Sequence, residues 1–321
     1  MKRLPLLIVS VLTSVTSAGA ATLYVSPDGS LGYSNIQDAI NDVPIDGWTE
    51  IVVYPGVYVE NLRVNTNQHC MIRSTNDMSA AVRDATVIDG GGAGPVLSVL
   101  GENSWSGATT CDVAGVTLTN GAAPSGGAVR GTEMYSSPFQ VISLTHCLVT
   151  GNRTTTNRFN HGGGGVAWTT GTLISNVFRG NSSMAYGGAC MQCHGDVAYN
   201  MFYDNSSAEG GGALYKIDGE VTHNLISNNI ARDSSGGGID YVWDDVSHNV
   251  IVHNYASWNG GGMYRARYVA VYNNVIAHNV CGHDGGGMAG SSSGATDADI
   301  INNVIYGNVA SNSGGGLAYS V

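Results

Sequence analysis

Between Gly187 and Asn254 one pattern occurs three times. Each unit opens with two glycines, a small residue and an apolar residue: Gly187-Gly188-Ala189-Cys190, Gly211-Gly212-Ala213-Leu214 and Gly236-Gly237-Gly238-Ile239. Each closes with Asn-apolar-apolar-x-x-Asn, from Asn200 to Asn205, Asn224 to Asn229 and Asn249 to Asn254. A fixed repeat commits a chain to a stack of like units that cover one another's apolar faces, which restricts the fold more than any other feature.

The closing asparagines fall at Asn120, Asn152, Asn181, Asn205, Asn229, Asn254, Asn279 and Asn308, with spacings of 32, 29, 24, 24, 25, 25 and 29. Constant spacing inside the unit and looser spacing between units describe a fixed rung with insertions at its corners. The apolar runs are short, rich in Val and Ile and broken by Gly and Asn, which is strand chemistry and not a helical period. About 24 residues suffice for three short strands and three turns, stacked in parallel ~4.8 Å apart. The leucine-rich signature and the calcium-binding GGxGxD nonapeptide are both absent. The expected fold is therefore all-β: a single-stranded right-handed parallel β-helix, a solenoid. A short N-terminal helix after Ser34, with Ile36, Ala39 and Ile40 on one face, is expected to cap the stack.

The pairing of Gly-Gly-Ala-apolar with Phe-x-x-Asn, clearest at Phe178-Arg179-Gly180-Asn181 and Phe202-Tyr203-Asp204-Asn205, resembles the repeats of chlamydial polymorphic outer-membrane proteins. The run from Val53 to Asn61 is similar to the opening rungs of the pectin-lyase-like β-helix superfamily. That resemblance implies the fold. It implies less about activity, because the superfamily holds polysaccharide lyases, hydrolases, esterases and adhesins. Neither the acidic motifs of polygalacturonases nor the arginine-bearing motif of pectate lyases is found, so no catalytic residue carries over.

Residues 1–20 read as a signal peptide: Lys2 and Arg3, an apolar run from Leu4 to Val15, then Ala18-Gly19-Ala20. The mature chain, 21–321, is expected to be secreted or displayed on the outer surface, with no membrane span. It ends within a repeat at Gly314-Gly315-Gly316-Leu317, which suggests a passenger fragment of an autotransporter-like protein. A net charge of −11 disfavours nucleic acid and anionic membranes as partners. Six cysteines in an exported chain allow disulfides, although Cys281, several rungs from the rest, is expected to be unpaired.

Asn176, Asn200, Asn224, Asn249, Asn274 and Asn303 share one place in successive rungs and suit a hydrogen-bonded amide ladder. The same reading applies to the glycosylation sequons at Asn152, Asn181 and Asn205. The glycine pairs suit positive φ and close approach at a corner.

Three further columns are polar or aromatic. Trp168, Gln192, Lys216, Tyr241 and Arg265 form the first; Thr170, His194, Asp218, Trp243 and Arg267 the second; Asp196, Glu220 and Asp245 the third, which Val269 ends. All are expected to face solvent. His194, Lys216, Asp218, Tyr241, Trp243, Arg265 and Arg267 make the candidate ligand site. Aromatic faces there stack on sugars, and charges hold hydroxyls or carboxylates. The partner this implies is an extracellular polysaccharide, anionic because cations concentrate here. Cys190-Met191-Gln192-Cys193-His194 matches the CxxCH of c-type haem attachment, but Cys190 and Cys193 replace core residues of the next rungs. No cofactor and no dedicated metal site is expected, calcium being the one ion the acidic column would suit. The functional expectation is a structural or adhesive surface protein that binds glycans. The enzyme rival is a polysaccharide lyase or glycoside hydrolase with unknown catalytic residues.

Overall fold

The computed structural model describes residues 21–101, 109–132, 140–266, 269–290 and 298–318. Residues 1–20, read above as a signal peptide, and Arg267 lie outside these residues. The chain forms a parallel β-helix of the right-handed type with about ten turns. Its strands make four parallel sheets of eleven, ten, ten and eight strands.

One rung shows how the sequence makes a turn of the helix. Cys190–Cys193, Val197–Ala198, Met201–Tyr203 and Ser206–Ser207 are successive short strands. Each pairs in parallel with its copy 24 residues on, as in Phe202 with Ile226 and Ser207 with Ala231. Cys190, Cys193, Val197 and Phe202 point inward and are fully buried. The rung thus has four strands where three were expected. The closing asparagine is a corner, and two residues after it pair as a separate strand. That extra sheet covers a core of its own, Ala231, Ala256 and Cys281.

The asparagines form two ladders. In the first, Asn224 Oδ1 accepts from the Asn200 backbone N–H (2.8 Å) and from its Nδ2 (3.1 Å), while Asn224 Nδ2 donates to Asn249 Oδ1 (3.0 Å) and Val197 O (2.8 Å). The second runs Asn152, Asn181, Asn205, Asn229, Asn254, Asn279 and Asn308 in the same manner. Asn152, Asn181 and Asn205 are at most 1% exposed, so the sequons lie inside this ladder. Asn120 does not belong to it. Gly121 takes the ladder position, its N–H donating to Asn152 Oδ1, while Asn120 reaches back to Asp89. The residue before each ladder asparagine is left-handed, from Ser175 (φ 58°) to Asn302 (φ 52°) on one column and from Gly151 (φ 66°) to Gly307 (φ 62°) on the other.

The two glycines of a pair do different work. Gly211 has φ +70°, and a Cβ on Gly212 would run into the Gly237 carbonyl of the next rung. All six cysteines are buried free thiols, Cys190 and Cys193 among the core residues.

At the N-terminal end, helix α1 (Ile36–Asn41) buries Ile36, Ala39 and Ile40 on the first rungs, as expected. Its cap is Asn35, whose side chain accepts from Asp38 N, and not Ser34. Glu60 accepts from the first two helical N–H groups, and Gln68 donates to the Ile40 and Val43 carbonyls, so both helix ends are satisfied. Gln37 exchanges hydrogen bonds with the backbone of Arg63 on the edge strand Leu62–Val64, which covers that sheet edge. A second short helix, α2 (Ala80–Ala85), caps itself with Ser79 and was not legible as a helix. Among the described residues no helix is long and apolar enough to cross a membrane.

Candidate functional site

The site lies on the ten-stranded sheet that contains Val166–Thr169, Cys190–Cys193, Leu214–Ile217, Ile239–Val242 and Met263–Ala266. In these strands the first and fourth residues point inward, as Leu214 and Ile217 do. The third residue is left-handed in every one: Trp168 (57°), Gln192 (50°), Lys216 (53°), Tyr241 (68°) and Arg265 (56°). That kink puts the second and third residues outside together, so each rung presents two adjacent side chains. A bulky residue held left-handed costs about 1–2 kcal/mol.

The second-position column, unforeseen in the sequence, runs Arg130, Ala167, Met191, Tyr215, Asp240, Tyr264. Asp240 is fully buried there. Arg265 grips it from the next rung, Nε to Oδ1 at 2.9 Å and Nη2 to Oδ2 at 2.7 Å. A Cβ on Gly210 would collide with the same carboxylate, so glycine makes room for it. Burial pushes the Asp240 carboxyl up to about 6, against the pull of Arg265 and Lys216. Burial also works against the Arg265 charge, yet Asp240 beside it raises the guanidinium further.

Aromatic rings enclose this pair. The Arg265 guanidinium sits 4.5 Å from the Tyr241 ring centre and 4.8 Å from that of Tyr264. Tyr241 meets Trp243 edge-on at 5.0 Å. Tyr186 stacks on Tyr215 at 4.3 Å, and burial raises the pKa of both phenols. Lys216 extends between Tyr215 and Phe159, its Nζ 5.6 and 5.7 Å from the two ring centres, and burial lowers its pKa. It makes no ion pair among the described residues. Phe159 (73% exposed) and Trp243 (40%) leave their rings open to solvent.

The expected residues are therefore placed as follows. Lys216, Tyr241, Trp243 and Arg265 come together. His194 and Asp218 pair at 3.1 Å on the neighbouring turn. Trp168, expected to face solvent, is 1% exposed: Arg130 covers one ring face at 5.5 Å, and Nε1 donates to Gln192 at 2.6 Å. The acidic column serves the backbone, Asp196 accepting from Glu220 N and Asp245 from Ala270 N. Val246 pairs with Val271, so Ala270, not Val269, follows Asp245 in that column. Among the described residues no group of three or more His, Cys, Asp or Glu could hold a metal ion.

Two further surfaces escaped the sequence reading. A cavity of about 330 Å³, lined by Ser98, Leu100, Arg130, Gly131 and Thr132, opens at the N-terminal end of the same column. On another face, His223 stacks on His248 (4.8 Å) and His253 on His278 (5.3 Å), beside exposed Val250, Tyr255 and Val280.

With Asp240 ionised, Arg265 is a paired ion and not the free cation its sequence position suggested. This face offers open aromatic rings, one ammonium with no ion pair among the described residues, and a buried carboxyl pushed up to about 6. No protein-family model matches the sequence, and no curated protein matches it significantly.

Proposed function

We propose that this is an exported surface protein of the pectin-lyase-like kind that holds an extended polysaccharide along the rungs from Leu214 to Ala266. The observation that carries the reading is the retention of Lys216, Tyr241 and Arg265 in left-handed positions that glycine would fill with less strain. The other left-handed columns are mostly Asn, Gly, His, Ser and Asp. Here large side chains are kept, and they meet the open rings of Phe159 and Trp243. Rungs ~4.8 Å apart present these groups as a ladder that can follow an extended chain. Lys216, and Arg130 three rungs away, supply positive charge for a carboxylated polymer, within a protein of net charge −11. The preference for anionic chains is narrower than a free Arg265 would give.

Binding of the mature protein and of Lys216→Ala/Trp243→Ala to a broad glycan array tests the reading. Both substitutions remove exposed atoms and leave the Asp240–Arg265 pair intact. Binding that is lost in the double variant supports the site; equal binding moves it elsewhere, and no wild-type binding favours a plain solvated face.

The buried carboxyl of Asp240 favours a second reading, in which the groove cleaves the chain it holds. Carboxyls shifted toward neutrality by burial beside a defined charge partner concentrate at catalytic sites. New reducing ends, or an unsaturated product, from a polysaccharide panel would select the enzyme.

A further inference from the structure

We propose that Asp240 is a charge gate for this groove: ionised, it holds Arg265 in a closed pair, and protonated, it frees the guanidinium for an acidic polysaccharide. The inference rests on the carbohydrate-binding reading above and adds its regulation.

The geometry gives Arg265 two competing partners. Inward, Asp240 takes Nε and Nη2 in a two-pronged bond. Outward, 28% of the Arg265 side chain is exposed to the groove, flanked by the Tyr241 and Tyr264 rings. A ligand carboxylate must therefore displace a buried one that has no other cation in bonding contact among the described residues. Among the described residues, these titratable and charged groups face Asp240. On the preceding rung stand Tyr215 and Lys216, on the following rung Tyr264 and Arg265, and Tyr186 approaches from the adjacent turn. None of these residues is a second acid, although Glu209 acts on Tyr186 from beside the cluster, and burial keeps the Tyr186 and Tyr215 phenols neutral well above neutral pH. The proton that neutralises Asp240 comes from solvent, and burial lets the carboxyl take it in mildly acidic solution. Polyuronate carboxyls, near the ordinary carboxylate range, stay charged there. The Tyr241 and Tyr264 rings, 4.5 and 4.8 Å away, keep the freed guanidinium between them.

The test is binding of the whole mature protein to a linear polyuronate, and to the same polymer with its carboxyls reduced to alcohols, at pH 7.5 and pH 5. The wild type is expected to bind the polyuronate about tenfold more tightly at pH 5, the worth of one charge-assisted hydrogen bond, and the reduced polymer equally at both. Asp240→Asn is expected to bind the polyuronate at both pH values as the wild type does at pH 5. An acid gain that persists in Asp240→Asn, from His194 for example, overturns the gate. So does a wild type that binds equally at both pH values, which leaves the carbohydrate reading standing. Binding of neither polymer at either pH removes both. Should Asp240→Asn fail to fold, the Arg265 Nε–H nuclear resonance of the wild type decides. It is expected to be slow to exchange at pH 7.5 and exposed at pH 5, and protection at both overturns the proposal.

Discussion

Replacing Asn224 by leucine tests the ladder at its centre. Asn224 is 2% exposed, and its amide joins Asn200, Asn249 and Val197. Leucine fills the same space without the bonds. The Asn200 backbone N–H then has no acceptor, which costs about 1–3 kcal/mol for a buried donor. Asn200 Nδ2 keeps its bond to Leu173 O, and Asn249 Oδ1 keeps the bond from the Asn224 backbone. Each loses one partner, and Val197 O loses its donor, so about 1 kcal/mol more goes with each of those bonds. The expected loss is roughly 4–6 kcal/mol. The control is Asn228→Gly, in the same rung, exposed and left-handed at φ 54°, where glycine fits and the cost is near zero. Urea denaturation gives the stabilities, and native-state hydrogen exchange gives the Asn200 amide directly. Equal destabilisation in the two variants, or an Asn200 amide still protected in Asn224→Leu, would refute the ladder argument.

Three further outcomes follow from the geometry. Gly212→Ala places a Cβ against the Gly237 carbonyl and should prevent the native stack from forming, whereas Gly180→Ala, with nothing within 4 Å of its Cβ and only φ +61° against it, should cost about 1–2 kcal/mol by thermal melting. Arg265→Ala leaves Asp240 buried without its partner and should cost about 3–5 kcal/mol at pH 7.5, while Asp240→Ala/Arg265→Ala should cost less than the single variant; a double variant that is the weaker of the two contradicts the pair. Burial, and then the stacked His248, lower the pKa of His223 below its unfolded value. Its contribution to stability is thus present above about pH 6.5 and lost as pH falls through the lowered value. His248→Asn, with asparagine suited to φ 57°, should reduce the fall in melting temperature between pH 7.5 and 5.5.

The backbone plan was legible because its causes recur. An asparagine returning every 24 or 25 residues beside apolar residues has few uses other than a buried amide column, and paired glycines at a constant offset mark a corner that a side chain would block. The fourth strand was not legible, since Ser206-Ser207 carries no apolar signature and follows a residue that seemed to end the unit. The ladder's start was misplaced by one because Gly121 fills an asparagine's position while Asn120 stands beside it. Most of the site was hidden for a related reason. The left-handed third residue breaks the two-residue alternation of a strand, and that break is what places Tyr215, Asp240 and Tyr264 outward and covered. Asp240 also follows alanine, methionine and tyrosine in its column, and no run of acids announced it. Phe159 belongs to an insertion, which rung alignment cannot place. Lys216, Tyr241, Trp243 and Arg265 were found because they occupy the third-position column or its neighbour, where exposure survives the kink.

Hydroxyl-radical footprinting of the mature protein, with and without its best-binding glycan from the array, tests the central claim most directly. Oxidation at Phe159, Tyr241 and Trp243 is predicted to fall several-fold on binding. Trp258, Tyr255 and Tyr306, exposed on other parts of the helix, are internal controls and should keep their rates. Protection at those three residues, with Phe159, Tyr241 and Trp243 unchanged, would place the ligand on another face and contradict the assignment of the groove.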